Sequence, residues 1–191
     1  PCRTDPDSER KDPFADAKAI AIIMKCLILA AGYATRLYPL TENFPKPLLT
    51  VGGRTILDWL IDDIETSGAT EEYIVISNHK YVGHFEEWAK AKPYKVTVLD
   101  DMTETNETRL GAVRDIEFAI DKLSLDDDLL VIAGDNLLDF SLEEFISYCS
   151  EKKTTCVMRY FETSEQRLLK CGVLTVGEDD LVLNMTEKSS T

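Results

Sequence analysis

Apolar residues recur along this chain in two rhythms. The runs Leu27-Ile28-Leu29-Ala30-Ala31, Tyr73 to Ser77 and Leu129 to Ala133 are continuous or nearly so, and Tyr94 to Leu99, interrupted by Lys95 and Thr97, reads as a further strand. Continuous short runs bounded by turn residues are the pattern of strands buried on both faces of a parallel sheet. Between the runs, apolar positions return every three or four residues. Ile56, Leu57, Leu60, Ile61 and Ile64 share one helical face, with Thr55 placed to cap the helix and Gly68 to end it after Ser67. Val82 to Lys90 predicts a second helix, stopped before Pro93. Leu110, Val113, Ile116 and Ile120 predict the buried stripe of a third. Ser141 predicts the cap of a fourth, which runs to about Lys152 with Leu142, Phe145, Ile146 and Cys149 inward. Residues 100–108 are polar and acidic and read as a loop. Three more strands are expected at Thr155 to Tyr160, Gly172 to Val176 and Leu181 to Met185, the last two joined by Gly177-Glu178-Asp179-Asp180.

Strands alternating with helices imply an α/β fold with a mostly parallel sheet and right-handed crossovers. The last turn implies an antiparallel hairpin added to that sheet near the C-terminus. With 191 residues, 44% of them hydrophobic, the chain is long enough for one domain with a substantial core. Residues 24–191 read as that domain. Residues 1–23 mix Asp5, Asp7, Glu9 and Asp12 into what a signal peptide would keep basic, and Lys25 interrupts the apolar run from Ala19 to Ala31. They read as a leader, vector-derived or upstream sequence, with Met24 as the natural start. No membrane span is expected. The net charge of −14 argues against a nucleic-acid surface. Cys2, Cys26, Cys149, Cys156 and Cys171 form no C-x-x-C pair, so buried thiols in a reducing cytoplasm are expected rather than zinc ligands.

The first apolar run ends in a loop that carries chemistry. Gly32 opens it, Arg36 lies within it, and Lys46 follows in Pro45-Lys46-Pro47-Leu48-Leu49. Loops at the carboxyl ends of parallel strands bind ligands in open α/β sheets. Backbone N–H groups there can hold phosphate oxygens, while Arg and Lys neutralise them. The loop is therefore a candidate triphosphate site. Asp135, at the end of another buried run, could hold Mg²⁺, which prefers oxygen ligands; taken alone, Gly134-Asp135-Asn136 could equally be a turn.

Gly32-Tyr33-Ala34-Thr35-Arg36-Leu37-Tyr38-Pro39-Leu40-Thr41, with Pro45-Lys46-Pro47-Leu48-Leu49, resembles the opening motif of the sugar-1-phosphate nucleotidyltransferases. Their pattern is Gly-x-Gly-Thr-Arg-Leu, then Pro-Lys. Ala34 replaces the second glycine, which a negative φ would accommodate. The resemblance spans about residues 24–188 and implies a Rossmann-like, three-layer α/β/α fold. It implies that Leu29, Ala30, Ala31, Gly32, Tyr33, Ala34, Thr35, Arg36 and Gly111 bind nucleotide. Arg36, Lys46 and Asp135 would be catalytic, with Asp135 holding Mg²⁺. Asn106 to Val113 lies where the family lines the base, but only Gly111-Ala112 and the apolar Val113 match, so the base does not carry over. Arg109 is expected to face solvent. Lys170-Cys171-Gly172-Val173-Leu174 resembles the family's Tyr-Gly-Val strand, and Glu187-Lys188 its Glu-Lys-Pro segment, so Gly172, Glu187 and Lys188 would bind the sugar phosphate. Ser189 stands in place of the proline.

The reaction so implied joins a nucleoside triphosphate to a sugar 1-phosphate and releases pyrophosphate, with Mg²⁺ as cofactor, in the cytoplasm. It is an in-line attack without a protein nucleophile. The family draws a second metal-binding Asp from farther along than Thr191, so truncation of the domain is expected. A phosphocholine or polyol-phosphate acceptor, or a non-catalytic nucleotide-binding regulatory module, remain alternatives. A homo-oligomer stays open. His79 and His84, five apart, are expected at the sheet rim, Trp59 and Trp88 in packing roles, and Asp126-Asp127-Asp128 in a solvated turn.

Overall fold

A computed structural model describes residues 23–187. Lys188 and the leader up to residue 22 lie outside the described residues. The chain divides after Thr154 into two compact units.

The first unit is built on four parallel strands: β1 (Met24–Leu29), β4 (Thr70–Ser77), β5 (Val96–Asp100) and β6 (Leu129–Ala133). Between β1 and β4 the chain makes the short antiparallel pair β2 (Thr50–Val51) and β3 (Arg54–Thr55). The main sheet has the order β5-β4-β1-β6. Its crossovers carry α1 (Ile56–Ser67), α2 (Val82–Lys90) and α3 (Ala112–Leu123), and α4 (Glu143–Lys152) follows β6. Alternate strand residues face opposite layers. Cys26, Ile28, Tyr73, Val75 and Leu130 pack with Leu57, Leu60, Ile61 and Ile64 of α1, Phe85 of α2 and Ile146 of α4. Leu27, Ile74, Ile76 and Leu99 pack the other way, against Ala119, Ile116 and Leu123 of α3. Three helices on one face and one on the other give the expected three layers. The same faces explain why β1, apart from Lys25, and the Tyr73 to Ile76 stretch of β4 are apolar.

Local chemistry fixes the ends of α1 as expected. Thr55 Oγ1 accepts the Asp58 N–H at 3.0 Å, and Gly68 closes the helix at φ 62°. The fourth helix begins one residue later than expected. Its cap position is Leu142, whose N–H donates to Asp63 Oδ2 at 2.7 Å, while Ser141 Oγ accepts only from Glu143 N–H at 3.2 Å. The stripe expected on the third helix is rotated. Leu110 precedes α3, Val113 is 79% exposed, and the inward face is Asp115, Ile116, Ala119 and Leu123. Apolar spacing alone missed this because an acid occupies one inward position.

The second unit holds α5 (Glu165–Leu168) and the antiparallel pair β7 (Val173–Val176) and β8 (Val182–Thr186). Gly177 N–H donates to Leu181 O at 2.8 Å across the turn. One expectation fails here: Thr155 to Tyr160 forms no strand, having no neighbour to complete a ladder among the described residues. The antiparallel hairpin expected near the C-terminus is present, as a two-stranded sheet of its own. Arg159 pairs with Asp180 at 2.6 Å within this unit.

Candidate active site

The sheet order reverses at β1: β4 lies on one side of it and β6 on the other. A crevice outside the carboxyl ends of strands at such a reversal is where open α/β sheets take ligands. The loops leaving β1 and β6 meet there. Lys46, in the 3₁₀ turn Lys46–Leu48, is projected by its neighbours Pro47 and Leu48, which are buried. Its Nζ lies 2.8 Å from Asp135 Oδ2. Gly134 is required for this approach. A Cβ at Gly134 would stand 2.9 Å from Ile28 Cγ2 and 3.6 Å from Pro47 Cγ, while its N–H donates to Leu29 O at 3.0 Å. The sequence thus named two residues 89 positions apart that the fold joins.

The loop after β1 is anchored by groups that pattern reading passed over. Ala30 N–H continues the ladder to Ile76 O at 2.9 Å. Asn78, fully buried, donates from Nδ2 to Ala31 O at 2.9 Å and accepts Tyr81 N–H at 3.1 Å. Tyr33 O–H donates to Thr103 O at 2.9 Å, and burial pushes its pKa up, so the phenol stays a neutral donor. Ala34 does not have the expected negative φ. It is left-handed, at φ 46° and ψ 41°, the region where the family pattern has glycine. Thr41 Oγ1 donates to Ala34 O at 2.8 Å, and Tyr81 O–H donates in turn to Thr41 O at 2.6 Å. These bonds hold a conformation that alanine alone disfavours. Among the described residues no protein acceptor takes the N–H of Gly32, Tyr33 or Ala34, so the loop offers free donors to an anion. Arg36 is exposed beside them and makes no ion pair among the described residues.

Gly111, at φ 88°, starts α3. Arg109 bonds Asn106 at 2.8 Å and is exposed, as expected. His79 lies at the rim with Nδ1 2.6 Å from Asp100 Oδ2, a bond that raises its pKa. Asp127 of the acidic turn pairs with Lys25 at 2.6 Å. Trp88 Nε1 donates to Asp58 at 3.0 Å within the core, whereas Trp59 is half exposed beneath the Arg54 guanidinium. Cys26 is buried, but Cys149, Cys156 and Cys171 are only half-buried, so the expectation of uniformly buried thiols is corrected. Gly172 and Glu187 belong to the second unit. A Cβ at Gly172 would stand 3.3 Å from Met185 Cε, and Glu187 is exposed.

Among the described residues three buried acids were not singled out by the sequence: Glu72, which pairs with Lys95 at 2.8 Å, Asp101 and Asp115. Asp101 follows β5 and Asp115 sits in the first turn of α3. The signal for Asp115 was present: an acid four residues before Ala119, on the face of Ile116 and Leu123.

Among the described residues no group of three or more His, Cys, Asp or Glu could hold a metal ion. Asp135 alone is a thin ligand set. It fits Mg²⁺ bound through one carboxylate and substrate phosphates, the usual mode for that ion, since only one of its oxygens is engaged by Lys46.

The chain is similar to several known proteins. It is 30% identical over 167 residues to the bifunctional protein GlmU of Methanococcus maripaludis, covering 86% of this chain and 36% of that one. It is 26% identical over 171 residues to a putative mannose-1-phosphate guanyltransferase of Sulfolobus acidocaldarius, covering 88% and 45%. Its fold matches the structure of a putative glucose-1-phosphate thymidylyltransferase from Bacillus anthracis with TM-score 0.66 at 19% identity, covering 86% of this chain and 64% of that one. The chain therefore spans about a third to a half of the length of these two sequence relatives. No described helix is long and apolar enough to cross a membrane. The family model for nucleotidyl transferases matches residues 25–191, which contain the loop, the Lys46–Asp135 pair and the reversal point of the sheet: the chain belongs to the nucleotidyl transferase family.

Proposed function

We propose that the protein joins a nucleoside triphosphate to a sugar 1-phosphate and releases pyrophosphate. The observation that carries this reading is the 2.8 Å contact between Lys46 and Asp135 at the sheet's reversal point. A cation and a metal-binding acid so placed suit a phosphoryl group whose charge redistributes during transfer. The free N–H groups of Gly32 to Ala34, with Arg36, take the β- and γ-phosphates. Leu29 to Arg36 and Gly111 bind the nucleotide. Lys46 neutralises the α-phosphoryl as the acceptor oxygen attacks in line. Asp135 holds Mg²⁺, which would supply charge neutralisation on the phosphate oxygens. Gly172, Glu187 and Lys188 bind the sugar phosphate. The enzyme works in the cytoplasm, and the names of sequence relatives favour hexose 1-phosphates as acceptors.

The test is pyrophosphate release from ATP, CTP, GTP, UTP and dTTP, each with a panel of hexose 1-phosphates, phosphocholine and polyol phosphates. Release with a hexose 1-phosphate, abolished in Asp135→Asn, is expected. Release with phosphocholine or polyol phosphates alone overturns the sugar acceptor. Nucleotide binding without release for any acceptor overturns the activity in favour of a regulatory nucleotide-binding module.

A further inference from the structure

The function proposed above asks Lys46 to meet a phosphate and Asp135 to meet a metal, yet the structure pairs the two with each other. Lys46 Nζ donates to Asp135 Oδ2 at 2.8 Å, and the side chains are 30% and 46% exposed. Neither makes another ion pair among the described residues. The backbone delivers both groups to this place. Buried Pro47 and Leu48 anchor the turn that carries Lys46. Asp135 follows Gly134, whose N–H is held by Leu29 O at 3.0 Å. A half-exposed ion pair is weak, so a stronger partner on either side displaces it. Lysine suits such an exchange. Its ammonium is a point charge with three donors on a flexible stem, and it can leave one acceptor for a neighbouring one.

We propose that Lys46 serves as the counter-cation of Asp135 until a triphosphate draws it away, so that Asp135 gains its affinity for a divalent cation only as nucleotide enters. A divalent cation that approaches Asp135 alone meets a carboxylate already neutralised, with a like charge beside it. A triphosphate carries several negative charges, and its oxygens are stronger acceptors for the ammonium than one carboxylate oxygen. Lys46 then passes from Asp135 to the nucleotide, and the whole carboxylate becomes available. Every charge has an opposite partner both before and after the exchange. Nucleotide and metal therefore favour each other's binding, and by linkage they do so equally in both directions. The device also has a use without nucleotide. It discourages a chain of net charge −14 from collecting divalent cations in its own cleft. The hand-over to nucleotide rests on the triphosphate site proposed above; the hold of Lys46 on Asp135 does not.

The test begins without nucleotide, with Mn²⁺ as the probe. Its unpaired electrons broaden the amide signals of Gly134 and Asn136 when it sits on Asp135, which reads this site apart from the acidic surface. Lys46→Met keeps an apolar stem and removes the charge. It should reach half-broadening at a Mn²⁺ concentration about three- to tenfold lower than the wild type. Lys46→Arg keeps the charge and should stay at the wild-type concentration. Equal Mn²⁺ affinity in the wild type and Lys46→Met overturns the proposal. Lys46→Met combined with Asp135→Asn should lose the broadening, and its persistence overturns Asp135 as the group that Lys46 guards. The titrations are then repeated with whichever of ATP, CTP, GTP, UTP and dTTP binds, at saturation for each protein. Nucleotide should lower the half-broadening concentration by a larger factor in the wild type than in Lys46→Met. Equal factors overturn the hand-over. Binding of none of the five overturns the proposed activity, while the titration without nucleotide still decides the hold of Lys46 on Asp135.

Discussion

Gly134→Ala is the sharpest perturbation that the active-site geometry offers. The added methyl would lie 2.9 Å from Ile28 Cγ2, 3.5 Å from Leu29 O and 3.6 Å from Pro47 Cγ. Ile28 is fully buried in β1, and its Cγ2 is fixed to a branched Cβ that cannot swing aside. The end of β6 must move instead. Overpacking of this kind costs about 1–3 kcal/mol. Replacing glycine with alanine returns about 0.4–1 kcal/mol by restricting the unfolded chain. The centres of these two ranges leave a net loss of about 1.3 kcal/mol, equivalent to a Tm fall of about 3–5 °C for a domain of this size. Asp135 is the next residue, so the displacement also lengthens its contact with Lys46. Gly32→Ala is the control. Nothing lies within 4 Å of a Cβ there, so stability should hold while nucleotide binding weakens, because the methyl stands in the loop that receives phosphate. Urea unfolding and calorimetric nucleotide titration of both variants separate the effects. A Gly134→Ala protein as stable as the wild type would refute the steric reasoning.

Three further outcomes follow from named contacts. Thr55→Ala removes the acceptor of the Asp58 N–H and should cost about 1 kcal/mol in denaturant unfolding without altering nucleotide affinity. Ala34→Gly relieves a left-handed alanine, worth about 1–2 kcal/mol, against about 0.4–1 kcal/mol of added unfolded-state entropy; stability should stay level or rise, where an ordinary alanine-to-glycine change would lower it. Lys46→Ala breaks a half-exposed ion pair and should cost under about 1 kcal/mol of stability, whereas kcat in an active protein should fall about 10²-fold, the scale for one lost electrostatic donor.

Much of the first unit was legible because burial on both faces of a parallel sheet leaves unbroken apolar runs. β6 and α2 have the bounds that their patterns imply, and α1 carries its signals in Thr55 and Gly68. The Lys46–Asp135 meeting was legible only through the resemblance, since no local pattern links residues so far apart. Three things were hidden. Asp115 breaks the apolar stripe of α3, so its inward face could not be read by hydrophobicity. Asn78, Thr41 and Tyr81 support the phosphate loop through single side-chain bonds to backbone, and such bonds have no periodicity. The segment from Thr155 to Tyr160 has strand-forming residues, yet a strand requires a partner that spacing does not supply.

The central claim is that the loop from Gly32 to Arg36, with Lys46, is a triphosphate site. Calorimetric titration of the 191-residue protein with ATP, CTP, GTP, UTP and dTTP in Mg²⁺ tests it most directly, beside Arg36→Ala and Lys46→Ala proteins of unchanged Tm. The account predicts binding of at least one nucleotide at micromolar to millimolar strength, about −4 to −8 kcal/mol, with a clear loss in Arg36→Ala and a smaller one in Lys46→Ala. Equal affinity in all three proteins, or no binding by the wild type, would contradict it.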